Sequence, residues 1–268
     1  MRWTEFAPAK VNLALHVRAR RADGYHDLET LFAFTRFGDR LEMTAADDWA
    51  LELAGPMAGD AGALADNLVL RAAHGFAAAT GIRARFAFRL DKRIPVAAGL
   101  GGGSADAAAA LRLLNRATGT GLTTGQLEEL AATPGADVAA CVRSRPCIGT
   151  GRGEILRDAP ELGPMPILLV NPRVAVPTGP VFAGWDGVDR GPLADWRRGR
   201  NDLQAPAIRM QPVIADVLAW LKTLPGATMV RMSGSGATCF ALFGGEVPDV
   251  VPPADWWLMA TELTASAV

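Results

Sequence analysis

Between Pro95 and Asp106 the chain reads PVAAGLGGGSAD and runs straight into the alanine-rich stretch from Ala107 to Leu114. Four glycines within five positions, Gly99 and Gly101 to Gly103, are followed by Ser104 at the predicted start of a helix. The first backbone N–H groups of a helix have no helical acceptor, and the helix dipole adds partial positive charge there. The arrangement therefore predicts a cradle for phosphate. Glycine suits it because a Cβ would block close approach of the backbone or forbid a positive φ. Gly102 is expected to face the anion, so that a side chain there would displace it and spare the core. Commoner phosphate loops do not fit. No Gly-Lys-Ser/Thr follows, Ser104 stands where G-x-G-x-x-G needs its last glycine, and Asp106 stands where G-x-S-x-G needs its second. The plain alternative is a flexible glycine loop whose Ser104 merely caps a helix.

A length of 268 residues allows one large domain or two lobes around a substantial core. Although 50% of the residues are hydrophobic, no run is long enough to cross a bilayer, and Met1 to Glu5 lacks the segments of a secretory leader. A formal net charge of −1 is unlike the basic footprint of a nucleic-acid binder. Arg190, Arg197, Arg198 and Arg200 are interrupted by Asp186, Asp189 and Asp195, so the segment from Trp185 to Asn201 reads as a solvated surface loop. Cys141, Cys147 and Cys239 have neither metal-ligand spacing nor an even count, which points to a reducing cytoplasm. His16, His26 and His74 are scattered, so no metal site of the protein's own is expected, and a divalent ion arrives with a nucleotide. A small-molecule substrate is expected, with no nucleic acid, membrane or obligatory protein partner.

Alternation predicts a half-buried strand over Lys10 to Val17, with Val11, Leu13, Leu15 and Val17 on one face. A turn at Ala22-Asp23-Gly24 leads to an extended or partly helical segment, Leu28 to Phe34. Asp66 or Asn67 caps a helix ending near Gly81, and Phe86, Phe88 and Leu90 mark a strand feeding the glycine loop. The next helix carries Ala107, Ala110, Leu111 and Leu114 on one face and stops at Gly119 and Gly121. Asp106 near its start suits the dipole, but would oppose a phosphate if it faced the loop mouth. A helix over Leu127 to Ala132 ends at Thr133-Pro134-Gly135. Gly149 to Gly153 reads as a flexible crossing between lobes, 1–153 and 154–268. Beyond it come a strand at Ile167 to Val170 and a loop from Asn171 to Pro180. An amphipathic helix over Gln211 to Leu224 turns Val213, Val217, Leu218, Leu221 and Leu224 inward. Strands at Met229 to Met232 and Cys239 to Phe243 flank a second glycine loop, and Trp257 to Leu263 is the last strand. Mixed elements without strict alternation predict an α+β fold.

Three separated segments need one explanation: FAPAKVNL from Phe6 with RADGYH from Arg21, the cradle preceded by LDKRI from Leu90, and MSGSGAT from Met232. Together they resemble the GHMP superfamily of small-molecule kinases, whose three motifs lie in this order. Within it the similarity is to the branch that phosphorylates the 2-hydroxyl of cytidine-diphosphate-linked methylerythritol in the non-mevalonate isoprenoid pathway. It extends to PGADV from Pro134 and Asn201-Asp202-Leu203, and is weakest over Asp39 to Asp60 and Asp186 to Arg200. The resemblance implies two lobes: a ribosomal protein S5 domain 2-like N-terminal ATP lobe and a smaller α+β C-terminal lobe. ATP would be the cosubstrate, with Mg²⁺.

By resemblance, ATP lies on Pro95, Val96, Ala97, Ala98, Gly99, Leu100, Gly101, Gly102, Gly103, Ser104 and Ala105. Asp137 matches the catalytic aspartate that accepts the hydroxyl proton; on its own it reads as a residue of a capping turn. Lys10 matches the catalytic lysine, and on its own is an ordinary lysine starting a strand. Asn12, on the same face as Lys10, would contact the substrate hydroxyls. Tyr25, the only tyrosine, would stack on cytosine with Phe182 on the opposite face, and His26 would read the base edge; packed turn residues are the bland alternative. Thr178 would contact substrate or the catalytic pair. Ala105 and Asp106 depart from a Ser-Asn pair found in some relatives, leaving the backbone N–H groups to supply most of the cradle. Two rivals remain open: another GHMP kinase, acting on mevalonate compounds or homoserine, and a non-catalytic nucleotide-binding regulator.

Overall fold

In the computed structural model, which describes residues 1–60, 62, 64–131 and 135–265, strands β1 (Arg2–Arg20) and β2 (His26–Ala46) form one long antiparallel hairpin. Its turn follows from the sequence: Gly24 takes φ 85, and Asp23 accepts the Tyr25 N–H at 3.1 Å. β2 then pairs with several strands along its other edge. β3 (Ala50–Ala54), α1 (Leu68–Thr80) and β4 (Arg85–Asp91) follow, with β4 joining the far end of β2 and β3 adding in parallel outside it. Asn67 caps α1 through its side chain, and Gly81 ends it at φ 72. α2 (Gly102–Thr118), α3 (Thr124–Ala131) and α4 (Ala136–Arg143) pack with α1 on the first part of the sheet. The predicted stop at Thr133-Pro134 lies outside the described residues.

The hairpin β5 (Cys147–Gly151) and β6 (Ile155–Asp158) replaces the expected flexible crossing: β5 pairs with Leu28 to Phe32 of β2. The glycines there serve close approach, since a Cβ on Gly149 would lie 2.6 Å from the Phe32 ring. β7 (Met165–Asn171), α5 (Thr178–Ala183), α6 (Gln204–Met210), α7 (Val213–Thr223), β8 (Ala227–Met232), β9 (Cys239–Phe243) and β10 (Trp257–Leu263) complete the chain. β10 joins β2 at the single pair Leu263 and Thr35, so one sheet runs in the order β3-β4-β2-β10-β7-β9-β8. Among the described residues, no helix is long and apolar enough to cross a membrane.

Several expectations change for identifiable reasons. β1 is buried on both faces from Ala7 to Val17, not one. Bulges between Pro8 and Lys10 and between Asn12 and Ala14 re-aim its side chains. Val11 and Leu13 therefore enter the core between the sheet halves, whereas Leu15 and Val17 pack with α5 to α7. Leu28 to Phe34 is strand throughout. In α7 the buried residue of the first turn is Ile214, not Val213, because Pro212 breaks the chain after α6 and resets the helix phase. The segment from Trp185 to Asn201 is not simply solvated. Trp185, Leu193 and Trp196 are buried, and Arg200 and Asp202 exchange backbone hydrogen bonds with Leu15. These three apolar side chains anchor it together with the Arg18–Asp189 ion pair at 2.8 Å and the Leu193 N–H bond to Glu29 at 2.5 Å.

Candidate active site

The bulge after Pro8 delivers Lys10 and Asn12 to the floor of a cleft of about 1020 Å³. Lys10 is 3% exposed, and its Nζ lies 2.8 Å from Asp137 Oδ2 and donates to Asn12 Oδ1 at 2.9 Å. Asp137 sits in the first turn of α4, where the dipole favours a carboxylate, and keeps 36% of its side chain open to the cleft. Asn12 is fixed in turn. Its Nδ2 donates to Thr30 Oγ1 at 2.8 Å, and that hydroxyl donates to Ala14 O at 2.7 Å. A buried ammonium, a half-open carboxylate and an immobilised amide thus meet at one point.

The two glycine loops meet above them. Gly99 takes φ 77, and a Cβ there would stand 2.4 Å from Ser233 O. Ser233 Oγ accepts the Asn12 N–H at 3.1 Å and donates to Gly99 O at 2.8 Å. Asn201 fastens the second loop from below, its Nδ2 donating to Met232 O at 2.7 Å and Gly234 O at 2.8 Å. The first helical bond of α2 runs from Ala105 N to Gly101 O, so the N–H groups of Gly102, Gly103 and Ser104 have no helical acceptor. Three free donors therefore stand where the sequence leads one to expect an anion cradle, and Gly103 beside them is exposed.

Gly102 faces the other way from its expected direction. A Cβ there would meet Lys92 Nζ at 2.9 Å and Ile94 Cγ2 at 3.1 Å, so a side chain at this position would invade the core instead of the phosphate space. Gly101, at φ 62, is held by the catalytic-lysine candidate, because its Cβ would lie 2.8 Å from Lys10 Cε. Ser104 is not the N-cap: the cap is Gly101, and Ser104 is the third helical residue, on the cleft wall.

Of the other predicted residues, Ala97, Ala98, Tyr25, His26, Thr178 and Phe182 line the cleft. Leu100 and Ala105 turn their side chains into the cores, and Pro95 and Val96 lie off the cleft wall. Phe182 packs against His26, with ring centroids 5.2 Å apart, and Trp185 meets the same imidazole edge-on at 5.8 Å. Tyr25 is 55% exposed, and the Arg152 guanidinium sits 4.9 Å above its ring. One face of Tyr25 is thereby occupied and the other is open. Burial, and then the neighbouring Arg20, hold His26 below the ordinary imidazole value. Arg20 Nε donates to His26 Nε2 at 3.4 Å, which leaves Nδ1 to carry the proton of the neutral ring. Thr178 Oγ1 and Ser235 Oγ lie 3.0 Å apart across the cleft mouth.

Sequence reading missed Arg20, Arg71 and Arg152, which line the same cleft. With Lys10 they set four cations against the one carboxylate of Asp137 among the described lining residues, a balance suited to polyphosphate. A basic residue inside a glycine-rich turn, Gly151-Arg152-Gly153, was the available signal. Among the described residues, no three His, Cys, Asp or Glu side chains gather to hold a metal ion.

The chain matches the family models for the GHMP kinases N terminal domain over residues 67–145 and the GHMP kinases C terminal over residues 188–251. It is 56% identical to a 4-diphosphocytidyl-2-C-methyl-D-erythritol kinase of Rhizorhabdus wittichii, covering 97% of this chain and 94% of the relative. Among solved structures, a 4-(cytidine 5'-diphospho)-2C-methyl-D-erythritol kinase superposes with a TM-score of 0.79 at 34% identity, covering 97% of this chain and 99% of that one. The homoserine kinase of Cytophaga hutchinsonii, at 17% identity and a TM-score of 0.74 over 99% and 95% of the two chains, shares the fold. The α+β, two-part fold expected from the three motifs is therefore the one found, and the chain belongs to the GHMP kinases, in the family of the 4-diphosphocytidyl-2-C-methyl-D-erythritol kinases.

Proposed function

We propose that this cleft transfers the γ-phosphoryl group of ATP to the 2-hydroxyl of 4-diphosphocytidyl-2-C-methyl-D-erythritol. The observation that carries the reading is the contact between Lys10 and Asp137 at 2.8 Å on the cleft floor, beside unpaired N–H groups at the start of α2. Asp137 accepts the hydroxyl proton as the alcohol oxygen bonds to the γ-phosphorus and the bond to the β-phosphate bridging oxygen breaks, releasing ADP. Lys10 holds the carboxylate in place at 2.8 Å and offers positive charge to the transferring group. Asn12 orients the acceptor hydroxyls, with Thr178 at the cleft mouth. Gly101 to Ser104 hold the phosphates through their backbone. Mg²⁺ arriving with the nucleotide would neutralise phosphate charge, while the protein's own contribution is the backbone N–H groups and the cations of the cleft. A non-catalytic regulator would need no such pair of Lys10 and Asp137.

Tyr25 offers its open face to cytosine while Arg152 covers the other, and His26 with Phe182 forms the adjoining wall. We divide the chain into an ATP lobe, residues 1–153, and a C-terminal lobe, residues 154–268. We assign it to the cytoplasm on its three free, buried cysteines.

Base recognition is tested by comparing kcat/KM for the full substrate and for methylerythritol phosphate lacking the cytidylyl group. Wild type should reject the truncated substrate, because binding of the remote base orients the reacting hydroxyl. Tyr25→Ala should lower kcat/KM for the full substrate by roughly tenfold or more, from about 1–3 kcal/mol of lost stacking. ATP affinity should hardly move. Equal turnover of the truncated substrate by wild type would remove the cytidine from the proposal.

A further inference from the structure

Beneath the cradle three ionisable side chains meet away from water. Asp39 on β2, Lys92 after β4 and Asp106 on α2 are 0%, 4% and 2% exposed. Lys92 Nζ donates to Asp106 Oδ2 at 2.7 Å and also to Asp39 Oδ2. Asp39 Oδ1 accepts the backbone N–H groups of Arg93 at 2.6 Å and Ile94 at 2.8 Å, so both of its oxygens have partners. Asp106 is the opposite case, for its Oδ1 has no partner. Lys92 and Asp39 are the charged groups that face it. Arg93 is exposed and pairs with Asp91, and Lys10 pairs with Asp137 beyond Gly101.

Charge counting makes the cluster unusual. With both carboxylates ionised the triad is net negative, and it lies directly under the first turn of α2, where a Cβ on Gly102 would stand 2.9 Å from Lys92 Nζ. A buried negative cluster at that place repels a polyanion and opposes the dipole that builds the cradle. Protonating Asp106 neutralises the triad and leaves Lys92 bonded to Asp39.

Resting on the nucleotide reading of this cleft, we propose that Asp106 and Lys92 are positioning residues for ATP. In alkaline solution, where Asp106 is ionised in the free protein, docking of the triphosphate on the cradle draws a proton from solvent onto it, and departure of the nucleotide releases it. Burial, with Asp39 beside it, pushes the Asp106 carboxyl up to about 8, against the pull of Lys92. A bound polyanion raises it further. The sign follows from linkage: below the free-protein value Asp106 is already protonated and affinity is flat. Above that value binding must bring a proton in, and affinity falls as pH rises.

The test is calorimetric titration of MgATP into wild type and Asp106→Asn at about pH 7 and about pH 9, in two buffers of different ionisation heat. Asparagine is nearly isosteric and still accepts from Lys92, and proton exchange by the nucleotide and by Lys10 or Asp137 is common to both proteins. Wild type should take up part of a proton per ATP at the higher pH and bind about three- to tenfold more weakly there. Asp106→Asn should lack that uptake and keep a flat affinity. Equal uptake in both proteins, or a flat wild-type profile, overturns the inference while leaving the nucleotide site standing. If Asp106→Asn fails to fold, Asp106→Ser takes its place as the non-titrating reference, and the wild-type uptake is read against it in the same way. A wild type that binds no ATP overturns the nucleotide reading and the inference together.

Discussion

Asp137→Asn is expected to lower kcat by about 10²–10⁴-fold, the usual cost of removing a general base, with ATP affinity nearly unchanged. The amide matches the carboxylate in shape, and its oxygen can still accept from Lys10 Nζ, which also keeps its bond to Asn12 Oδ1 at 2.9 Å. The fold should survive. Lys10 loses a counter-charge at a buried position, but Asp137 is 36% open to the cleft, so water reaches the site. The stability cost should stay at roughly 1–3 kcal/mol. Single-turnover kinetics at saturating substrates separate the chemical step from product release. A near wild-type rate in that step would assign the proton to another group.

Gly103→Val should leave the protein folded and remove ATP binding. Gly103 is exposed at the cleft mouth, and the nearest atom to a Cβ there is Leu68 Cδ1 at 3.4 Å, an ordinary contact. A branched side chain would fill the space over the N–H groups of Gly102 and Ser104. Losing two hydrogen bonds to a charged phosphate, at about 1.5–3 kcal/mol each, weakens affinity by about 10²-fold or more. Calorimetry beside a thermal melt reads both quantities. Unchanged affinity in a folded variant would exclude this loop as the cradle. Gly102 cannot serve in this experiment, since its side chain would strike Lys92 and Ile94 in the core.

That contrast between adjacent glycines marks where sequence reading stops. Elements set by local chemistry were legible: the Asn67 cap, the Gly81 stop, the glycine loop opening α2, and the β8–β9 hairpin around the second glycine loop. Geometry set by long-range packing was not. The bulges of β1 depend on its fit to β2, and they decide that Lys10 and Asn12 reach the cleft while Leu15 and Val17 join a different core. The direction in which Gly102 points is set against Lys92, which enters from the segment after β4. Asn201 was legible as part of a motif, but its service to the Ser233–Gly234 loop exists only once the C-terminal strands are assembled. Phe182 was expected across a base from Tyr25; its packing on His26, and the Arg152 guanidinium over the Tyr25 ring, were not legible because they join segments far apart in sequence.

The most direct measurement is the identity of the phosphorylated product. Purified protein is incubated with MgATP and a panel comprising 4-diphosphocytidyl-2-C-methyl-D-erythritol, methylerythritol phosphate, mevalonate and homoserine, and phosphorus NMR assigns the new ester. Consumption of ATP with only the cytidine substrate, with one phosphate on its 2-hydroxyl for each ADP formed, is the predicted result. Transfer to mevalonate or homoserine, a phosphate at another position, or ATP turnover to inorganic phosphate alone would contradict it.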